Sequence, residues 1–186
     1  MPRTARMIVP GIAHHIVQRG NRRQDVFWHA DDYRMYLSLL GKQAELGEFA
    51  IHAYCLMRNH VHLIITPTHP NSLSKLGEAH RQYTRYINKK NAWKGFLWQE
   101  RFSSFPMDAA YTFEAIRYVE LNPVAAGICA HPADYRWSSA RSRLGKAGDF
   151  AVAPSPYLAV EDWENYWQEG MLRKQAMEEF LASGTQ

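Results

Sequence analysis

The segment His60-Val61-His62 places two imidazoles two residues apart, inside an apolar run that continues as Leu63-Ile64-Ile65. In an extended strand, residues two apart share a face. Both rings would then point the same way, close enough to grip one metal ion, with Val61 turned to the other face. The same pattern also describes two histidines that simply line a half-buried strand. His14-His15 is the contrast case, since adjacent strand residues point to opposite faces and a shared ion is not expected.

A second constellation lies in the helical segment 111–123. Tyr118 and Asn122 are four apart and share one helix face, and Tyr111 and Ala115 extend the stripe. A tyrosine beside an amide could present a nucleophile next to a metal ligand. Taken alone, the pattern is better described by a packed tyrosine followed by an asparagine that caps the helix before Pro123.

A third is electrostatic. Lys75, Arg81, Arg85, Lys89, Lys90 and Lys94 fall in or just after one helical stretch whose only acid is Glu78. Arg81, Arg85 and Lys89 form an i, i+4, i+8 stripe, with Tyr83, Tyr86 and Trp93 interleaved. Cations that track phosphates, with aromatics on which bases stack, suit a single nucleic-acid strand. Arg19, Arg22 and Arg23 add a second basic cluster. A solvated helix face is the simpler alternative.

The elements that must position these groups follow from periodicity. Ile12 to Arg19 is short and β-branched and runs into Gly20-Asn21, which predicts a strand and a turn. Asp31-Asp32 open a helix that ends at Gly47, with acids at the positive end of its dipole. Phe49 to Leu56 and His60 to Pro67 form a hairpin around residues 57–59. Asn71 to Lys90 is a second helix with Leu73, Leu76, Ala79, Tyr83 and Ile87 on one face. Phe96 to Met107 contains a strand. Asp108 caps a third helix through Leu121, stopped at Pro123. The order β-α-β-β-α-β with an added helix predicts an α+β fold. It is the ferredoxin-like split βαβ antiparallel sheet with helices on one face, plus an active-site helix and a C-terminal helical extension.

Composition sets the frame. The 186 residues are 46% hydrophobic and 22% charged, which excludes a disordered chain, a collagen and a coiled coil. The overall charge of +4 hides an asymmetry, because residues 155–186 carry six acids and two bases. The body is therefore basic and suits a polyanionic partner. No apolar run is long enough for a membrane span, and Met1 to Arg6 lacks a signal-peptide core. Cys55 and Cys129 stand far apart without a CxxC. A reduced, cytoplasmic and nucleoid-associated setting is expected. The expected division is a domain over 1–150 and an acidic, aromatic helical extension over 151–186. Trp163, Trp167 and Met171 recur at a spacing of four there, so the extension is expected to dock and to do no chemistry.

Five segments in order carry a resemblance: RGNRRQ at 19–24, NHVHLII at 59–65, LWQERFSSFPMD at 97–108, RYVELNPV at 117–124 and DYRWSSAR at 134–141. Together they resemble the REP-associated tyrosine transposases, in the single-tyrosine branch of the HUH (His-hydrophobic-His) endonucleases. The similarity spans residues 8–145 and leaves 146–186 outside it. It implies that His60 and His62 bind a divalent metal, that Tyr118 is the nucleophile, and that Asn122 is the third ligand. It also implies cleavage of single-stranded DNA at palindromic, hairpin-forming repeats, through a 5′-phosphotyrosine and a free 3′-hydroxyl.

The implied chemistry is physically coherent. A tyrosine hydroxyl ordinarily titrates near 10, so its phenolate lies about 4 kcal/mol uphill at neutral pH. A divalent ion reduces that cost and polarises the phosphate. Imidazole favours Mn2+, whereas Mg2+ prefers oxygen, and both are admitted. A non-catalytic nucleic-acid binding module and a nuclease that activates water are the competing functions. Monomer and homodimer both remain open at this level.

Overall fold

The computed structural model describes residues 8–146, 152–153, 156 and 160–183, the last ten of these by backbone alone. The sheet has four antiparallel strands: β1 (His14–Arg19), β2 (Phe49–Met57), β3 (His60–Pro67) and β4 (Ser103–Pro106), in the order β2-β3-β1-β4. Helices α1 (Ala30–Glu45) and α2 (Ser72–Asn91) complete the split βαβ arrangement. The fold is the α+β architecture read from the sequence.

Strand alternation sorts the sheet into two packed faces. Ile16, Val61, Leu63 and Ile65 are buried with Leu37 and Leu40 of α1 and Leu73, Leu76, Tyr83 and Ile87 of α2. The other face buries Ala53, Cys55, Met57 and Ile64 against Ala115, Ile116 and Val119 of helix α3 (Ala109–Ala125). So α3 lies across the sheet from α1 and α2. Each face gains roughly 1.5–3 kcal/mol per large side chain removed from water.

Register around the site is set by the β2–β3 hairpin, whose turn is Arg58-Asn59. The amide of Gly20 donates to the Asn59 carbonyl at 2.8 Å. A Cβ at Gly20 would run into the Gln24 carbonyl oxygen, so only glycine allows the chain to turn this close after β1.

Two boundaries differ from expectation. Helix α3 runs through Pro123 to Ala125. Proline removes the amide that would bond one turn back, but near a C-terminus a single missing bond is tolerated, and buried packing of Pro123 offsets it. The chain then closes through Gly127 N–H to the Val124 carbonyl and Ile128 N–H to the Pro123 carbonyl, both 2.9 Å. The strand expected within 96–107 is only the four residues of β4, and 95–102 is an irregular segment against α2.

Three short elements complete the body: 3₁₀ turns at Asn21–Arg23 and Pro132–Asp134, and helix α4 (Ala140–Arg143). Helix α5 (Trp163–Ser183) follows. Trp167 and Tyr166 of α5 are buried with Ala140, and Phe113, Leu121 and Trp163 pack around them. The extension therefore docks, as its aromatic spacing predicts, and it docks on α3. Half of the Pro/Ala/Ser stretch at 151–156, residues 151, 154 and 155, lies outside the described residues. Among the described residues no helix is long and apolar enough to cross a membrane.

Candidate active site

Strand β3 delivers the two histidines. Val61 and Leu63 are fully buried toward α1 and α2, which turns His60 and His62 to the α3 face. Their ring centroids are 5.0 Å apart. In the β1–β3 ladder Arg19 stands opposite His60 and Val17 opposite His62, so the Arg19 position shares this face. Cys55 and Met57 of β2 flank the pair on the other side.

Both rings are held by a contact to Nδ1. The His60 Nδ1 lies 2.6 Å from Asn59 Oδ1, and the amide oxygen can only accept. His60 therefore carries its proton on Nδ1 and leaves the Nε2 lone pair free. The His62 Nδ1 lies 3.0 Å from His15 Nε2. When His62 donates in that contact, its Nε2 is free as well. Such contacts to the second nitrogen fix the tautomer and orientation of metal-ligating histidines.

Burial keeps these rings neutral. Desolvation, then the cation of Arg19, lowers the His60 pKa to about 4. Desolvation, followed by the neighbouring His15, His60 and Arg19, lowers that of His62 to about 3. Burial lowers His15 too. Two neutral imidazoles with free Nε2 atoms fit a divalent ion of borderline softness. Among the described residues no cluster of three or more His, Cys, Asp or Glu side chains could hold a metal. A third protein donor would have to be of another type, such as the Asn122 amide.

Helix α3 delivers Tyr118. The Asp108 side chain accepts from the Tyr111 amide at 2.7 Å, the cap expected from the sequence. Ala115, Ile116 and Val119 bury their face against the sheet, which brings Tyr118 to the rim. Tyr118 is 56% exposed, yet its ring stands perpendicular to His62 with centroids 5.7 Å apart. Its centroid is 6.2 Å from that of His15. Asn122 follows one turn later and is half-buried. A solvent-reachable phenol over two neutral imidazoles can attack an electrophile delivered from solution.

The basic residues divide between locations. Arg19 shares the histidine face, and Arg22 and Arg23 are exposed on the turn after β1. Lys75, Arg81, Arg85 and Lys89 are exposed on α2, across the sheet from Tyr118. Glu78 takes Arg81 at 2.5 Å and lies 3.9 Å from Arg85. Lys75 lies 3.9 Å from Glu48. Lys90 is different, because its ammonium is 2.6 Å from the fully buried Asp32. It ties α2 to the start of α1. Tyr83 does not offer a ring to bases: it is fully buried, and its hydroxyl donates to the Val26 carbonyl at 2.5 Å. Tyr86 is half-buried and directs its hydroxyl to Asp32.

Sequence reasoning did not anticipate two parts of this site. His15 joins His62, because the β1–β3 register brings distant strand positions together. The second is the support of α3. Glu120 is fully buried and accepts from Ser139 Oγ at 2.8 Å, Arg143 Nε at 2.9 Å and Trp167 Nε1 at 3.0 Å. Arg117, immediately before Tyr118, is 4% exposed and lies with its guanidinium carbon 4.3 Å from the Tyr166 ring centre. The segment at 134–141 was legible as a motif, but nothing in it states that Ser139 braces the helix of Tyr118.

The fold has a counterpart among solved structures. The solved structure of a REP-associated tyrosine transposase bound to a REP hairpin matches with a TM-score of 0.65. It is 19% identical, and the match covers 87% of this chain and 96% of that one. At that identity the likeness speaks for the fold. No curated protein matches the chain. The family model described as transposase IS200-like matches residues 8–122, a span that holds β1 to β4, both histidines, Tyr118 and Asn122. The chain belongs to the IS200-like transposase family.

Proposed function

We propose that this protein is a metal-dependent single-stranded DNA endonuclease and strand transferase of the REP-associated tyrosine type. It acts at palindromic, hairpin-forming repeats through a 5′-phosphotyrosine on Tyr118. The observation that carries this reading is the exposed Tyr118 ring standing perpendicular to His62, 5.7 Å between centroids, with His60 alongside.

The residues divide the work. The Tyr118 hydroxyl attacks the scissile phosphorus and forms the tyrosyl ester to the 5′ side. The bond to the 3′ oxygen breaks, the phenolic proton is released, and the other strand end leaves as a free 3′-hydroxyl. His60, His62 and Asn122 would hold a divalent ion, Mg2+ or Mn2+, which would supply polarisation of the phosphate and lower the cost of the phenolate. Arg19 draws the anionic backbone toward the histidine face. Asn59 and His15 keep the two imidazoles oriented. Because the ester conserves the energy of the broken bond, a later 3′-hydroxyl can attack it and rejoin strands.

The test is incubation of the protein with labelled, hairpin-bearing single strands and Mn2+, followed by a denaturing gel. A labelled band that migrates with the protein is expected when the label lies on the 3′ side of the break, because that fragment is joined to tyrosine through its new 5′ phosphate. Product ends that are both free would instead indicate attack by water.

A further inference from the structure

Phe96 is 86% exposed, more than any other large hydrophobic side chain among the described residues. Its backbone is nevertheless tied down on both sides. The Gly95 carbonyl accepts from Asn88 Nδ2 at 3.0 Å, and the Leu97 carbonyl accepts from the Asn21 amide at 2.8 Å. Leu97 and Trp98, which follow it, are anchored in the core. A ring held outward from a fixed backbone gains nothing for the fold, because it stays in water.

Its surroundings give the ring a purpose. Phe96 lines two grooves at once. One, of about 1060 Å³, runs between α2 and residues 95–102. The other, of about 320 Å³, runs to the turn after β1, and the two also share Asn88 and Leu97. Charged side chains along the joined groove are Arg22, Arg81, Arg85, Lys94 and Arg101 against the single acid Glu100. Trp93, 48% exposed, adds a second ring beside Phe96 in the smaller groove.

The geometry points to a second nucleic-acid site: the joined groove binds an unpaired DNA strand and stacks one of its bases on Phe96, across the sheet from Tyr118. Charge complementarity selects a polyanion, and the free aromatic face selects unpaired bases over a duplex, whose bases already stack on each other. The groove wall also leads toward the catalytic face. The Gln99 amide donates to the Arg19 carbonyl at 2.9 Å, so the wall of the groove is joined to the end of β1, the strand that carries Arg19. This inference rests on the single-strand reading above.

Fluorescence anisotropy with a labelled, unstructured single-stranded oligonucleotide, in chelator so that no cleavage occurs, tests it. Phe96→Ala should weaken binding about tenfold, in line with the removal of one base–aromatic stack. Phe96→Trp should restore affinity. Leu46→Ala, at an exposed leucine that lines neither groove, should leave it unchanged. Melting temperatures of all variants should match the wild type. An abasic nucleotide scanned along the oligonucleotide should weaken wild-type binding at one position and leave Phe96→Ala unaffected there. Equal affinity of Phe96→Ala and wild type, or an equal loss on blunt duplex, would overturn the stacking site. If the wild type forms the tyrosyl adduct while Phe96→Ala binds normally, only this inference fails. If the wild type binds no single strand at all, the proposed function fails with it.

Discussion

Trp167 of α5 donates its indole N–H to Glu120 of α3 at 3.0 Å, two residues beyond Tyr118. The same carboxylate, fully buried, takes Arg143 and Ser139. Its charge is thus matched by one cation and two neutral donors, and two separate chain segments, α4 with its cap and α5, converge on the helix that carries the candidate nucleophile. Trp167→Phe keeps most of the ring area and removes one donor from a buried carboxylate, a loss of about 1–3 kcal/mol. Thermal denaturation should show it, and Trp167→Ala should cost more by leaving a cavity.

Gly170 sits where α5 crosses α3. A Cβ there would lie 2.5 Å from Cδ of Arg117 and 2.7 Å from Cδ1 of Leu121. Gly170→Ala should therefore destabilise the protein by about 1–3 kcal/mol through overpacking, despite the better helix propensity of alanine. Adduct yield per folded molecule should also fall, since Arg117 adjoins Tyr118. A variant as stable as the wild type would mean that α5 does not rest this closely on α3.

Tyr118→Phe should abolish the covalent protein–DNA adduct while retaining affinity for the single strand. The ring is 56% exposed, so removal of its hydroxyl leaves packing intact. The denaturing gel reads the adduct and anisotropy reads the binding. A persistent 5′ adduct would redirect the search to Tyr111, which is 65% exposed on the same helix.

Chelation, or His60→Ala combined with His62→Ala, should remove cleavage without unfolding the chain. Asn122→Ala should give a milder loss, because water can replace one neutral ligand. Mn2+ should raise the melting temperature of the wild type and leave that of the double variant unmoved, since only a bound ion stabilises the native state. Full cleavage in chelator would sink the metal reading.

Lys89 and Lys90 are neighbours in the sequence and should separate by assay. Burial alone would raise the Asp32 carboxyl, but Lys90 and the amides of His29 and Trp28 overcome it and hold its pKa below the usual 3.8. A carboxyl depressed in the folded state stabilises above its unfolded pKa, and that contribution fades as pH falls through the folded value. Lys90→Met should therefore cost about 1–3 kcal/mol at neutral pH, and the gap to wild type should narrow below about pH 4. Lys89→Met should leave the melting temperature unchanged. Replacing Arg81, Arg85 and Lys89 together should flatten the dependence of log affinity on log salt by about 0.7 for each phosphate no longer neutralised.

Local chemistry made much of this protein legible. Alternation in His60-Val61-His62 predicts two imidazoles on one face, and β3 has them there because strand geometry depends on nearest neighbours alone. The Asp108 cap and the apolar stripe of α2 are likewise short-range, as is the order of elements. Pro123 misled at close range, because a single missing amide near a helix end is outweighed by burial that only packing supplies. What lay beyond reach depends on contacts between distant segments. His15 meets His62 across 47 residues through strand register. Tyr83 and Lys90 read as candidate DNA contacts until Val26 and Asp32 claim them. Trp163, Trp167 and Met171 announce that α5 docks, but an amphipathic stripe carries no address. Only the folded chain, by converging Ser139, Arg143 and Trp167 on a carboxylate that burial makes costly to leave unpaired, decides that the extension braces the helix of Tyr118.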